Sequence, residues 1–190
     1  MAAIEICVGF VILVLFLLAV FYAFSVYNGI ISLKNNIEKA WANIDVVLKQ
    51  RTDLIPNLVE SVKGYMKYEK AVLTDITKLR TQMISAVTPG QKAAASEGIS
   101  SALKTIFAVS EKYPDLKASQ NFLKLQEQLS AMENQIADRR EFYNDSVLLY
   151  NTRIHSLPDV IVAKLLGFAD KEYFRAGEDE KAPIQIKMDG

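Results

Sequence analysis

The chain has 190 residues, with Lys+Arg and Asp+Glu balanced at 22 each. No stripe of basic residues interleaved with aromatics is present, so the electrostatic footprint of a nucleic-acid binder is missing. Once an apolar segment of about 27 residues at the N-terminus is set aside, the remainder suits one domain with a sizeable core rather than two.

The run from Ile6 to Val26 contains no charge and no proline. At about 1.5 Å rise per residue it spans about 31 Å, the hydrocarbon thickness of a bilayer, and it reads as a transmembrane helix. A cleavable signal peptide fits less well: no Lys or Arg precedes the run, the run exceeds an ordinary signal core, and no A-x-A-like site follows it. Cys7, the only cysteine, lies inside this run and speaks to neither a disulfide nor a metal site. Lys34, Lys39, Lys49 and Arg51 follow the span while Glu5 precedes it, which tilts the following domain to the cytoplasmic side by the positive-inside rule.

Beyond the span, Ile30, Leu33, Ile37, Ala40, Ile44 and Val47 recur in steps of three and four, the seam of a packed helix continuous with the anchor. Thr52, Asp53 and Pro56 interrupt it, and two readings follow: a new helix capped near Asp53, or one long helix kinked at Pro56. The seam resumes through Leu58, Val62, Tyr65, Val72, Ile76, Leu79 and Met83 and stops at the turn pair Pro89-Gly90 after Thr88. A third segment, about Gln91 to Glu111, places Ile99, Leu103 and Ile106 on one face and ends before Tyr113-Pro114-Asp115. The fourth and longest, about Asp115 to Ser156, carries Phe122, Leu125, Leu129, Met132, Ile136, Tyr143, Val147, Tyr150 and Ile154 at bundle spacing, and Pro158 ends it. A short amphipathic turn from Val160 to Leu166 then stops at Gly167.

Segment lengths favour reversal at Asp53, because an unbroken helix from Asn28 to Val87 would leave the fourth helix unpaired over much of its apolar face. The expected fold is therefore all-α: a transmembrane helix, residues 1–27, continuing into an antiparallel up-and-down four-helix bundle over residues 28–176, with a tail at 177–190. In such a bundle, residues of the first and fourth helices at equal height have numbers summing to about 183. That rule sets Asp45 against Arg139, with Arg139 or Arg140 completing a partly buried ion pair; the plainer alternative leaves both arginines solvated. It also sets Tyr27, Tyr150 and Phe168 at the bilayer surface. The segment Val160 to Phe168 either rests on the headgroups or caps the open end of the bundle. The tail ends in the alternating Ile184-Gln185-Ile186-Lys187-Met188, which suits a short strand or a docking peptide, with disorder the default.

The residues of familiar chemistry do not assemble. One histidine, His155, with Thr at position 152, rules out the Glu-x-x-His pairs of a carboxylate-bridged metal site. Neither phosphate-cradling glycine motif nor a G-x-S-x-G elbow occurs. Asp45, Asp53 and Glu60, on helices with basic neighbours, read as caps and ion pairs rather than as an acid and base couple. No cofactor, metal or catalytic residue is expected, and the chain is read as a non-enzyme.

Several blocks form a specific signature: Tyr27-Asn28, Ala40-Trp41, Asp45-Val46, Lys49 to Glu60 (KQRTDLIPNLVE), Val62-Lys63-Gly64-Tyr65, Tyr113-Pro114-Asp115-Leu116-Lys117-Ala118, Asn121-Phe122, Arg139-Arg140, Phe142-Tyr143-Asn144 and Gly167-Phe168. Over about Tyr27 to Phe174 the chain resembles the LemA family of bacterial membrane proteins, with little of the likeness between Met83 and Ser110. The resemblance implies an N-terminal anchor, an antiparallel helical bundle and a bacterial source, and supplies no reaction or cofactor. The expected function is a membrane-tethered scaffold or adaptor that contacts other membrane or membrane-associated proteins. The alternatives are a self-assembling, membrane-organising homo-oligomer and, third, an enzyme with a copurifying cofactor. If the Asp53 block is a binding surface, Arg51, Asp53, Asn57 and Glu60 are exposed at the membrane-distal tip. If it is conformational, Asp53 caps, Pro56 sets the turn, and Leu54, Leu58 and Val59 fill the core.

Overall fold

The structure, a computed structural model, describes residues 1–66 and 68–175, the side chain of Ala3 excepted. The tail at 177–190 lies outside the described residues. Six helices and no strand occur among the described residues: α1 Ala2–Lys63, α2 Lys70–Ser85, α3 Pro89–Ser110, α4 Pro114–Lys117, α5 Gln120–His155 and α6 Asp159–Leu165. They form two compact units, Met1–Lys39 with Asp145–Lys171, and Ala40–Asn144 with the stretch from Glu172 onward.

The expected reversal at Asp53 does not occur: α1 runs through Asp53 and Pro56 to Lys63. A proline inside a helix leaves the carbonyl four residues earlier without its donor. Here that carbonyl, Thr52 C=O, accepts from Arg80 Nε of α2 at 3.3 Å. The buried row Ile44, Leu48, Ile55, Leu58 and Val62 continues on both sides of Pro56, and each such side chain contributes about 1.5–3 kcal/mol by leaving water. Packing therefore holds the helix together where local signals suggest an end. Asp53, exposed in mid-helix, caps nothing. The chain turns instead at Gly64, where Tyr65 N–H and Met66 N–H both bond to Val62 C=O.

In the larger unit, four helices alternate in direction. α1 and α2 meet at Thr52 and Arg80. α2 and α3 form a hairpin in which a Cβ on Gly98 would lie 2.5 Å from Leu79 Cδ2, so only glycine allows this approach without moving the leucine. α3 and α5 are antiparallel, with Ser100 bonded to Glu133 and Phe107 edge-on to Phe122 at 6.2 Å. α3 starts with a capping box: Thr88 Oγ1 accepts from Gln91 N–H at 3.2 Å, Gln91 Oε1 accepts from Thr88 N–H, and Pro89 fills the first turn. The small residues that weaken its helix signal face inward, with Ala93, Ala95, Ser96 and Ala102 buried beside Ile99, Leu103 and Ile106. The expected fourth helix is divided, because Pro114–Lys117 makes its own short turn around the buried Leu116 before Gln120 restarts the helix.

The register rule holds within each unit. Trp41 stacks on Tyr143 and Arg51 bonds Glu133, pairs whose numbers sum to 184. Gly29 approaches Arg153, a sum of 182. α5 buries Phe122, Leu129, Ile136 and Tyr143 at seven-residue steps, then Val147, Tyr150 and Ile154. Leu125 and Met132 are only half-buried, so Arg139, next in that row, falls at the edge of the stripe and is exposed.

In the smaller unit, the N-terminal part of α1 is long and apolar enough to cross a membrane, and none of its most apolar stretch is buried. Val26, Ile30 and Ile37 of α1, Val147, Tyr150 and Ile154 of α5, and Ala163 of α6 form the core. Residues 169–171 bind back on α5: Tyr150 donates to Ala169 C=O at 3.1 Å, Asn151 makes two bonds to the backbone of Lys171, and His155 Nε2 lies 2.7 Å from Asp170 Oδ1. Gly167, at φ 71°, ends α6 as expected, with Phe168 N–H bonded to Ala163 C=O.

Candidate functional site

The most polar part of the larger unit's interior is built around Arg51. The row Ile44, Leu48, Arg51, Ile55, Leu58, Val62 advances in steps of three and four, so helix geometry alone turns the guanidinium inward. Arg51 is 0% exposed. Its Nη1 donates to Glu133 Oε2 at 2.5 Å and Ser100 Oγ at 2.9 Å; its Nη2 donates to Ser96 Oγ at 2.6 Å and Ser96 C=O at 3.1 Å. Ser100 in turn donates to Glu133 Oε1 at 2.7 Å. Burial pushes the Arg51 guanidinium below its ordinary range while the Glu133 carboxylate acts in the opposite sense. One donor, Arg51 Nε, is buried without a partner. A cleft of about 520 Å³ opens beside this cluster, lined in part by Ser96, Ser100, Glu133, Lys104, Arg140 and Phe174.

Arg51 therefore leaves the expected surface set, and Asp53, Asn57 and Glu60 remain exposed together. They continue a stripe that begins at Val46, Lys49 and Gln50, an i, i+3/i+4, i+7 face of α1 open to solvent. Of the conformational residues, Leu58 is fully buried and Leu54 and Val59 are half-buried.

The expected Asp45 pair is also replaced. Asp45 pairs with Lys92 of α3, whose ammonium also lies 5.3 Å from the Trp41 ring centre. Arg140 reaches Glu97 at 3.4 Å, and Arg139 is exposed. Lys92 of α3, rather than an arginine of α5, is the cation that reaches Asp45. At the expected membrane surface, Tyr27 is 42% exposed and stacks at 6.2 Å on the half-buried Phe168. Tyr150 is 1% exposed, because the Ala169 segment covers it, and so it is a core residue. The heptad spacing already contained that answer, since 143, 147, 150 and 154 form one row.

A strap that sequence reasoning missed, Glu172–Arg175, closes the larger unit. Glu172 Oε1 accepts from Gly90 N–H at the start of α3, Tyr143 donates to Glu172 C=O at 2.8 Å, and Asn144 makes two bonds to the backbone of Phe174. Phe174, 1% exposed, packs on Trp41 at 6.2 Å. Burial first, and the Glu172 charge second, push the Tyr143 hydroxyl up to about 12 from 10.0. Because the folded value exceeds the unfolded one, this group's contribution is complete below pH 10.0 and is lost as pH rises through about 12. Tyr150, raised by burial and then by Asp170, acts in the same direction. The thermal midpoint of the full-length protein in detergent is expected to fall across that alkaline window, and Tyr143→Phe to fall less steeply.

Among the described residues no group of three or more His, Cys, Asp or Glu side chains is arranged to hold a metal ion. The later part of α1, the helices α2 to α6, the buried arginine and the strap lie within the part of the chain that comparison with known proteins picks out: a model described as the LemA family matches residues 40–188. Protein LemA of Metamycoplasma hominis is 26% identical over 183 residues, covering 92% of this chain and 82% of that protein. Magnetosome protein MamQ 2 of Paramagnetospirillum magneticum is 25% identical over 184 residues, covering 83% of this chain and 68% of that protein. Magnetosome protein MamQ of Magnetospirillum gryphiswaldense is 23% identical over 184 residues, with the same coverage of 83% and 68%. With the family match extending over more than half of its length, the chain belongs to the LemA family.

Proposed function

We propose that this protein is a single-pass, membrane-anchored scaffold that acts by binding other proteins, with its larger unit on the cytoplasmic side. The observation that carries the reading is the division of labour along α1. Its N-terminal part is apolar and unburied, whereas its later part buries one face and leaves Val46, Lys49, Gln50, Asp53, Asn57 and Glu60 exposed as a continuous stripe. Mixed charge and amide groups around one apolar side chain, on a helix, make a face suited to a protein partner. The cytoplasmic side follows from Lys34, Lys39 and Lys49 after the span against Glu5 before it. No chemical reaction forms part of this function.

The test is a cross-linking pull-down from native membranes, resolved by mass spectrometry, on the tagged full-length protein and on Asp53→Lys/Glu60→Lys. Both positions are exposed, so the fold is expected to survive. Recurrent links to one other protein, lost in the variant, support the scaffold. Links mainly between copies of the chain replace it with a self-assembling, membrane-organising role.

A further inference from the structure

We infer that α6 is a second membrane-inserted element, and that the groove between α6 and α1 takes an acyl chain of a bilayer lipid. The inference rests on the reading of α1 as a membrane anchor. It goes further by assigning to the membrane a segment of seven residues, far too short to span it.

Four observations converge. First, α6 lies against the part of α1 that belongs to the apolar run. Val20, Ala23, Phe24 and Tyr27 of α1 face Ile161, Val162, Leu165 and Leu166 across a groove of about 420 Å³. Residues 20–26 form the last 10 Å or so of the span at about 1.5 Å per residue, which matches the depth of about 5–10 Å at which interfacial helices lie.

Second, the groove is open, and α6 with the residue two before it leaves large apolar side chains uncovered. Leu157, Ile161 and Leu165 are 81%, 64% and 84% exposed. In water such a cluster would be a costly open patch, whereas in a leaflet it is solvated by lipid tails. Third, the start of α6 is tied to the span: Asp159 Oδ1 accepts from the Tyr22 hydroxyl at 2.5 Å, and Asp159 Oδ2 accepts from Arg153 Nε at 2.8 Å. A charged group at this depth needs such partners.

Fourth, the polar groups lie where a shallow insertion allows them. Lys164 is exposed on a long stem able to reach the headgroups, and Gly167 turns the chain out of α6 toward the polar Asp170 and Lys171. The exposed face of α6 is thus continuous with the exposed face of the span, and the same occupant, lipid, covers both.

The test uses the full-length protein with Cys7→Ser, reconstituted in phosphatidylcholine and phosphatidylglycerol vesicles. A nitrobenzoxadiazole label is placed at Leu165→Cys, in the groove wall, or at Phe24→Cys, in the span. Dibrominated phosphatidylcholine is expected to quench the label at position 165 about as strongly as at 24, and aqueous iodide to quench neither. Quenching by lipid at 24 but by iodide at 165 overturns the inference and leaves the anchor intact. Iodide quenching at 24 overturns both. Protection at 165 from both quenchers, with disulfide cross-linking between unlabelled Leu165→Cys copies, overturns it in favour of a second copy covering α6.

Discussion

Glu133→Ala is expected to destabilise the protein by about 3–5 kcal/mol, the cost of leaving a buried charge without its counterion. Arg51 is 0% exposed, so without Glu133 its only charged partner is gone and its charge is left with Ser96 and Ser100. The reverse deletion is milder. Glu133 is 43% exposed, and in Arg51→Met its carboxylate can hydrate while the methionine fills most of the arginine's volume. That change is expected to cost about 1–2 kcal/mol, near the value of the lost hydrogen bonds. The double variant Arg51→Met/Glu133→Ala is expected to be more stable than Glu133→Ala alone, since no buried charge remains. Thermal unfolding of the full-length proteins in detergent, followed by circular dichroism, reads all three. Equal losses in the two single variants would show that Arg51 has access to water and that the network is not sealed.

Phe174→Ala is expected to cost about 3–5 kcal/mol at the strap, the usual range for truncating a buried phenylalanine. The loss is local in kind. Phe174 packs against Trp41, while the strap's other attachments are hydrogen bonds to Asn144, Tyr143 and the Gly90 N–H at the start of α3. Without the ring, those bonds compete with water and the strap opens as a unit. Hydrogen exchange at Phe174 N–H, bonded at 2.8 Å to Asn144 Oδ1, is expected to accelerate strongly while α5 amides around Leu129 keep their protection. A uniform loss of protection along α5 would instead make Phe174 part of the global core.

The long apolar N-terminal helix, most of the later helical segments and the antiparallel register were legible in the sequence because each is written in periodicity or length. An uncharged run of bilayer length, apolar steps of three and four, and Pro-Gly or Tyr-Pro turns need no tertiary information. The pairing of Trp41 with Tyr143 and of Arg51 with Glu133 follows from the same counting. The cluster around Arg51 was within reach too, since its place in the row of Ile44, Leu48, Ile55 and Leu58 marks it as buried, but a charged residue in a signature block reads more naturally as surface.

The chain by itself thus determined that it is helical, where its apolar faces lie and which residues stand level with one another, because local backbone preference and hydrophobic spacing act along the sequence. Tertiary structure alone decided the rest. Pro56 does not end α1, because Arg80 supplies the donor that the proline withholds from Thr52. Asp45 pairs with Lys92 rather than an arginine of α5, and Tyr150 is covered by the backbone of Ala169. In each case the outcome depends on which group from a distant segment arrives within hydrogen-bonding distance, and no property of the local sequence encodes that distance.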